Sequence, residues 1–176
     1  VQSGMARTGE MWAHKHFNLS PDVFTVAKAL ANGLPMGAML ASEEVSHGFE
    51  PGVHAATFGG GALVSAVADQ VLQIMQDRDV CAQVRDKGSY ALQLFRALKQ
   101  RFPNQIREIR GIGLMMGIEF HGSAKEIWKA LLDSGYICNL TQERILRLLP
   151  PLVIEKQDFD NFAKTMEDIL LQNDKL

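Results

Sequence analysis

From residue 106 onward the sequence switches back and forth between two periodicities, and this order constrains the fold more than any other feature. "IREIRGIGLMMGIEF" reads as two strands joined around Gly111. Ser123 and Glu126 then match a capping box ahead of a helix carrying Ile127, Trp128, Leu131 and Leu132, closed by Gly135. "YICNL" and "RILRLL" read as short strands, the second stopped by Pro150 and Pro151. A last helix is expected over 158–171, with Phe159, Phe162, Ala163, Met166, Ile169 and Leu170 at helical spacing. The order β-β-α-β-β-α predicts a compact α+β unit.

The first half has a different texture. Residues 1–12 read as loop. Ser20-Pro21-Asp22 is a turn signal before a β-branched and aromatic run, Val23 to Val26, expected to be a short buried strand ending near Lys28. "ANGLPMG" reads as loop and "GAMLAS" as a second buried strand. Ser42 with Glu43 and Glu44 can start a short helix. After the glycine-rich "PGVHAATFGGG", residues 62–75 carry an apolar helical stripe. Asp79 can cap another helix reaching about Arg101, with Val80, Val84, Ala91, Leu94, Leu98 and Phe102 inward and Pro103-Asn104 as its stop. These halves predict an α/β portion over 1–78 and an α+β domain over 79–176.

Composition excludes several classes. The net charge of −2 offers no electrostatic footprint for nucleic acid or an anionic membrane, and no apolar run approaches the length of a membrane span. Cys81 and Cys138 are unpaired in pattern, as expected for free thiols in a reducing cytoplasm. His14 and His16 form a His-x-His pair, but no third metal ligand lies nearby, so an exposed pair is expected. Met115 and Met116 read as core.

Three features carry chemistry, and each has an ordinary reading beside a functional one. Lys28 is a single lysine in the apolar stretch "TVAKALANGLPMGAMLAS". Its stem can pack on apolar surface with the ammonium in water, or its amine can face a cleft as a nucleophile for Schiff-base chemistry. "TFGGGA" before a helix is either a turn or a phosphate cradle, with Thr57 adding a hydroxyl. Arg147 in "ILRLLPPL" is either an edge-strand arginine facing solvent or a bidentate carboxylate clamp. Together an amine, a phosphate grip and a carboxylate clamp suit a phosphorylated aldehyde cofactor acting on an amino acid.

"VQSGMARTGEMWAHKHFNLSPDVFTVAKALANGLPMGAML" resembles the stretch around the cofactor lysine of class III (subgroup II) pyridoxal-phosphate aminotransferases. "ATFGGG", "IRGIGLMMGIEF" and "RILRLLPPLVI" resemble later blocks of that family in the same order. "CNLTQ" and "RLLPPL" look most like its acetylornithine branch, including succinylornithine relatives. The resemblance implies a fold-type I transferase: the end of the large cofactor domain followed by the small C-terminal domain.

The resemblance also implies roles. Lys28 matches the lysine that joins the cofactor aldehyde and shuttles the proton at the substrate α-carbon. Gln2 matches a glutamine that hydrogen-bonds the cofactor's phenolic oxygen, and Val1 the residue packed on the ring. Thr57 matches a threonine that reaches the phosphate held by the partner subunit, which implies a homodimer with shared sites. Arg147 matches the arginine that clamps the substrate α-carboxylate. The implied reaction moves an amino group between N-acetylornithine and 2-oxoglutarate in arginine biosynthesis. Ornithine, succinylornithine or 4-aminobutyrate are the alternative donors. The non-enzyme alternative is a truncated folding or dimerisation module.

Parts of the family pattern lie outside this chain, which begins at Val1. The family's aspartate that pairs with the pyridine nitrogen precedes the valine matched by Val1, so the chain reads as a C-terminal portion, expected to be inactive or nearly so alone. Within the matched blocks, Ala55-Ala56 stand where the family usually has Gly-Ser, Gly60-Gly61-Ala62 where it has Gly-Asn-Pro, and Ala6 where it has glycine.

Overall fold

A computed structural model describes residues 1–173. They divide into two compact units, Val1–Cys81 and Ala82 onward.

The first unit is built on β1 (Val23–Ala27) and β2 (Gly37–Ala41), paired antiparallel with Val23 opposite Ala41. A 3-10 turn, Lys28–Ala31, begins where β1 stops and buries Leu30 and Ala31. Ser42 caps the short α1 (Glu43–Ser46), its Oγ accepting from the Val45 amide. α2 (Ala62–Asp77) packs on the 3-10 turn and buries Ala68 and Met75. The expectation of two buried strands is only partly met: Val26 is buried, while Val23, Met39 and Leu40 are exposed. The reason is topological. The sheet has two strands among the described residues, so few neighbours cover its faces. His14 and His16 also depart from expectation. Both are half-buried, His16 Nε2 lying 3.0 Å from Thr8 Oγ1 and His14 edge-on to Phe24. No metal-ligand cluster occurs among the described residues.

The second unit has the β-β-α-β-β-α order. α3 (Val80–Arg101) leads into β3 (Ile106–Ile112) and β4 (Met115–Phe120). α4 (Lys125–Asp133), β5 (Asn139–Thr141), β6 (Ile145–Leu148) and α5 (Lys156–Asn173) follow. The sheet is antiparallel throughout, in the order β3-β4-β6-β5. Met116, Ile118, Phe120, Leu146 and Leu148 are buried with Phe95 of α3, Leu131 of α4, and Phe162, Met166 and Leu170 of α5. Phe95 meets Phe159 and Phe162 edge-on. Every inward residue expected of α5 is buried.

Three local expectations change. The hairpin turns at Gly113, which takes φ 56°, and not at Gly111, which sits inside β3. Ser123 lies one residue before the α4 N-cap, Ala124, and its Oγ accepts from the Lys125 amide, so the capping box is out of register. Asp79 adopts φ 44°, not the extended backbone of an ordinary N-cap. Gly135 closes α4 as anticipated. Its amide donates to Leu132 O and the Tyr136 amide to Leu131 O, a Schellman motif.

Candidate active site

Lys28 follows β1 directly and takes φ 58°. A left-handed backbone costs a non-glycine residue roughly 1–2 kcal/mol, and such strain concentrates at functional positions. The turn is held from below by buried Leu30 and Ala31, which pack toward α2, while Lys28 is exposed. Among the described residues its amine has no hydrogen bond or ion pair. The geometry is that of a presented amine, with the strain borne by a packed turn.

Thr57 is exposed in a turn that closes through the Gly59 amide and Ala56 O, 3.0 Å apart. Gly60 needs its freedom here, at φ 65°. The turn runs into α2, whose N-cap is Gly61 and has no side-chain cap. The first amides of this 16-residue helix have no side-chain cap, and the dipole favours an anion there. An amine without a partner can take up an aldehyde, and an exposed threonine ahead of an uncapped helix start can meet a phosphate, so each fits one functional group of a phosphorylated aldehyde cofactor.

Val1 and Gln2 are exposed and precede a tightly built loop. Met5 and Ala6 are both left-handed, with φ 53° and 60°, and both are buried. Ala6 thus stands where the backbone itself favours glycine, the residue usual in the family blocks. Thr8 Oγ1 donates to Ser3 O and meets His16, tying the loop to the segment that follows Gln2. Burial lowers the Arg7 guanidinium from its ordinary pKa.

Arg147 belongs to the second unit and lies on β6, between β4 and β5. The edge-strand alternative is thereby overturned: ladder hydrogen bonds run on both sides of it. It stands opposite Gly117 and Asn139, and Gly117 stands opposite Arg110, so all four share one face of the sheet. Glu119, 6% exposed, draws in the neighbouring arginines. Arg110 Nη1 lies 2.6 Å from it, Arg107 Nη1 3.1 Å and Arg144 Nε 3.4 Å. The Arg110 hydrogen bond, then the charges of Arg107, Arg110 and Arg144, hold the Glu119 carboxyl below the ordinary carboxylate range. Arg147 is left out. Its Nε is buried and has no hydrogen-bond partner among the described residues. Sequence reasoning did not find Glu119, Arg110 or Gly117. Their signal, an acid and a glycine inside an apolar strand, gains meaning only from the register.

Lys28 and Thr57 are exposed in the first unit, and in the second the buried Nε of Arg147 has no hydrogen-bond partner among the described residues. The class III aminotransferase family model matches residues 1–170, and the chain belongs to that family. Class III aminotransferases are pyridoxal-phosphate enzymes. Among curated relatives, the chain is 41% identical over 172 residues to acetylornithine aminotransferase of Lactococcus lactis, covering 97% of the chain and 45% of that protein. It is 36% identical over 172 residues to that of Methanocaldococcus jannaschii, covering 98% of the chain and 43% of the relative. The crystal structure of acetylornithine aminotransferase from Elizabethkingia anophelis superposes with TM-score 0.90 at 32% identity, over 98% of this chain and 44% of that one. Ornithine aminotransferase from Toxoplasma gondii superposes with TM-score 0.91 at 27% identity, over 99% and 42%. The chain thus spans less than half the length of the relatives it matches.

No helix among the described residues is long and apolar enough to cross a membrane.

Proposed function

We propose that the complete protein moves an amino group between N-acetylornithine, or a similar ω-amino donor, and 2-oxoglutarate. The observation that carries this is Lys28: an exposed, unpaired amine on strained backbone at a strand end. The names of the curated relatives support the donor. The first unit then corresponds to the end of a large cofactor domain and the second to a small domain, in a cytoplasmic homodimer with shared sites.

Bound pyridoxal phosphate supplies an aldehyde to take up the amino group and a conjugated ring that withdraws electrons from the breaking bond. The chain's own residues do the rest. Lys28 would offer the amine that tethers the cofactor, and the same nitrogen would carry the proton at the substrate α-carbon. Thr57 would reach the phosphate of the cofactor held by the partner subunit, as its match in the family does, and the first amides of α2 would favour an anion. Gln2 would hydrogen-bond the phenolic oxygen and Val1 would pack on the ring, as their matches in the family do. Arg147 orients the substrate through its carboxylate. The aspartate that charges the ring nitrogen in the family precedes the valine matched by Val1, so residues 1–176 alone are expected to be inactive. The match to ornithine aminotransferase supports ornithine as the second candidate donor, and competition between the two amines in the complete protein separates them.

The test is trapping. The complete protein is incubated with pyridoxal phosphate and reduced with borohydride, and the labelled lysine is mapped by peptide mass. Selective label at Lys28, lost in Lys28→Ala together with about 100-fold or more of the transamination rate, is the expected result. Label spread evenly over the lysines refutes the assignment.

A further inference from the structure

We propose that Arg110 is a positioning residue for Arg147: by holding Glu119, it keeps this buried carboxylate from capturing the Arg147 guanidinium. The proposal rests on the reading of Arg147 as a substrate-binding group. The register sets the three side by side. Residues directly opposite in an antiparallel ladder point to the same face. Arg110 is opposite Gly117 and Gly117 opposite Arg147, while Glu119 is opposite Glu108 on β3 and Ile145 on β6. Glu119 is therefore a diagonal neighbour of Arg110 across one ladder and of Arg147 across the other. Long side chains at diagonal positions lie within reach of each other.

Glu119 thus has an arginine on either side, and it takes only one of them. Its Oε2 lies 2.6 Å from Arg110 Nη1. Its Oε1 lies 3.1 Å from Arg107 Nη1 and 3.4 Å from Arg144 Nε. Among the described residues Arg110 alone engages Oε2. Arg110 Nη1 also reaches Glu108 at 2.8 Å, and so stands between the two acids that the register sets opposite each other. Arg147 takes no part. Its Nε is buried without a hydrogen-bond partner, and it has no ion pair among the described residues.

A carboxylate only 6% exposed is costly to leave half-satisfied. Arg107 and Arg144 do not replace Arg110, since both sit on Oε1. Without the Arg110 guanidinium, Oε2 needs another donor, and the unpaired fork of Arg147 is the diagonal neighbour that remains. A guanidinium fork takes a carboxylate through two parallel hydrogen bonds. A fork closed on Glu119 is lost to an incoming carboxylate, because both compete for the same N–H groups.

The test uses the complete protein loaded with pyridoxal phosphate, with glutarate as a non-reactive carboxylate probe. Its dissociation constant, the KM for 2-oxoglutarate, kcat and the melting temperature are measured for wild type, Arg110→Met, Arg110→Lys, Glu119→Gln, the double variant Arg110→Met/Glu119→Gln, and Arg147→Lys. Arg110→Met is expected to weaken glutarate about tenfold and to raise KM with kcat little changed. Arg110→Lys, which keeps a cation on Glu119, is expected within about twofold of wild type, and the double variant within about twofold of Glu119→Gln. The Arg110 side chain is 43% exposed, so its variants are expected to fold; if Arg110→Met melts early, Arg110→Gln takes its place in the cycle. A tenfold loss that persists in the Glu119→Gln background is the plain loss of a positive charge and overturns the capture. Unchanged affinity in Arg110→Met, with weak binding in Arg147→Lys, overturns the positioning role and leaves the reading of Arg147 standing. Unchanged affinity in both overturns that reading, and the proposal with it.

Discussion

Gly88 sets helix propensity against tertiary packing, and the structure decides which wins. It lies in the middle of α3, where replacing glycine by alanine should stabilise an ordinary helix by about 1 kcal/mol. Here a Cβ would sit 2.4 Å from Gly113 O, 2.6 Å from Gly113 C and 2.7 Å from its Cα. These are backbone atoms of the β3–β4 turn, so no rotamer change relieves the clash. The helix and the turn must separate by about 1 Å, a gap that forfeits a quarter to a half of each van der Waals contact across it. The residues around that contact, Val84, Ala91 and Leu114, are fully buried. Overpacking of this kind costs about 3 kcal/mol or more. Set against the gain in propensity, the net loss is about 2 kcal/mol. For a domain of this size that lowers the melting temperature by about 8–16 °C. Gly122 is the control: nothing lies within 4 Å of its Cβ position and its φ is not positive. Gly122→Ala is expected to stay within about 0.5 kcal/mol of wild type. Thermal unfolding followed by circular dichroism reads both variants. A Gly88→Ala protein that melts at or above wild type would refute the packing argument.

Two further outcomes are expected. Glu143, exposed at φ 59° after Gln142 at φ 49°, occupies a left-handed turn position. Glu143→Gly relieves backbone strain but gains unfolded-state entropy, for a net stabilisation of about 0.5–1 kcal/mol by urea denaturation; a lower midpoint contradicts this. Glu119 has a folded pKa below its unfolded value, so its ion pairs stabilise the fold above the ordinary carboxylate range and lose that effect as pH falls through the folded pKa. Urea midpoints of wild type and Glu119→Gln should therefore differ at pH 7 and converge in acid, and a gap independent of pH rejects the assignment.

Much of the second unit is legible in the sequence because its elements are local and periodic. The stripe of α5 can be read residue by residue, since six apolar positions at helical spacing admit one buried face. In α3 the spacing leaves the phase open. Leu94 is only half-buried, while Phe95 and Leu92 are buried, because the sheet and α5 select the face. Gly111 and Gly113 are interchangeable turn candidates in "RGIG" until pairing of Ile112 with Met115 places the turn. The first unit is harder: its strands have the right composition, but their burial depends on neighbours that a two-stranded sheet lacks.

The sequence by itself determined the order of the elements and the family, and it singled out Lys28, Thr57 and Arg147 as candidates for the proposed chemistry. These follow from periodicity, turn residues and ordered motifs, all written within short windows of chain. Only the tertiary structure decided that Lys28 bears left-handed strain, that Arg147 sits on an inner strand, and that Glu119 binds three arginines while leaving the fourth unpaired. Strand order and cross-strand register bring together residues up to about forty positions apart, and ladder hydrogen bonding, unlike helical periodicity, leaves no local record of its partner.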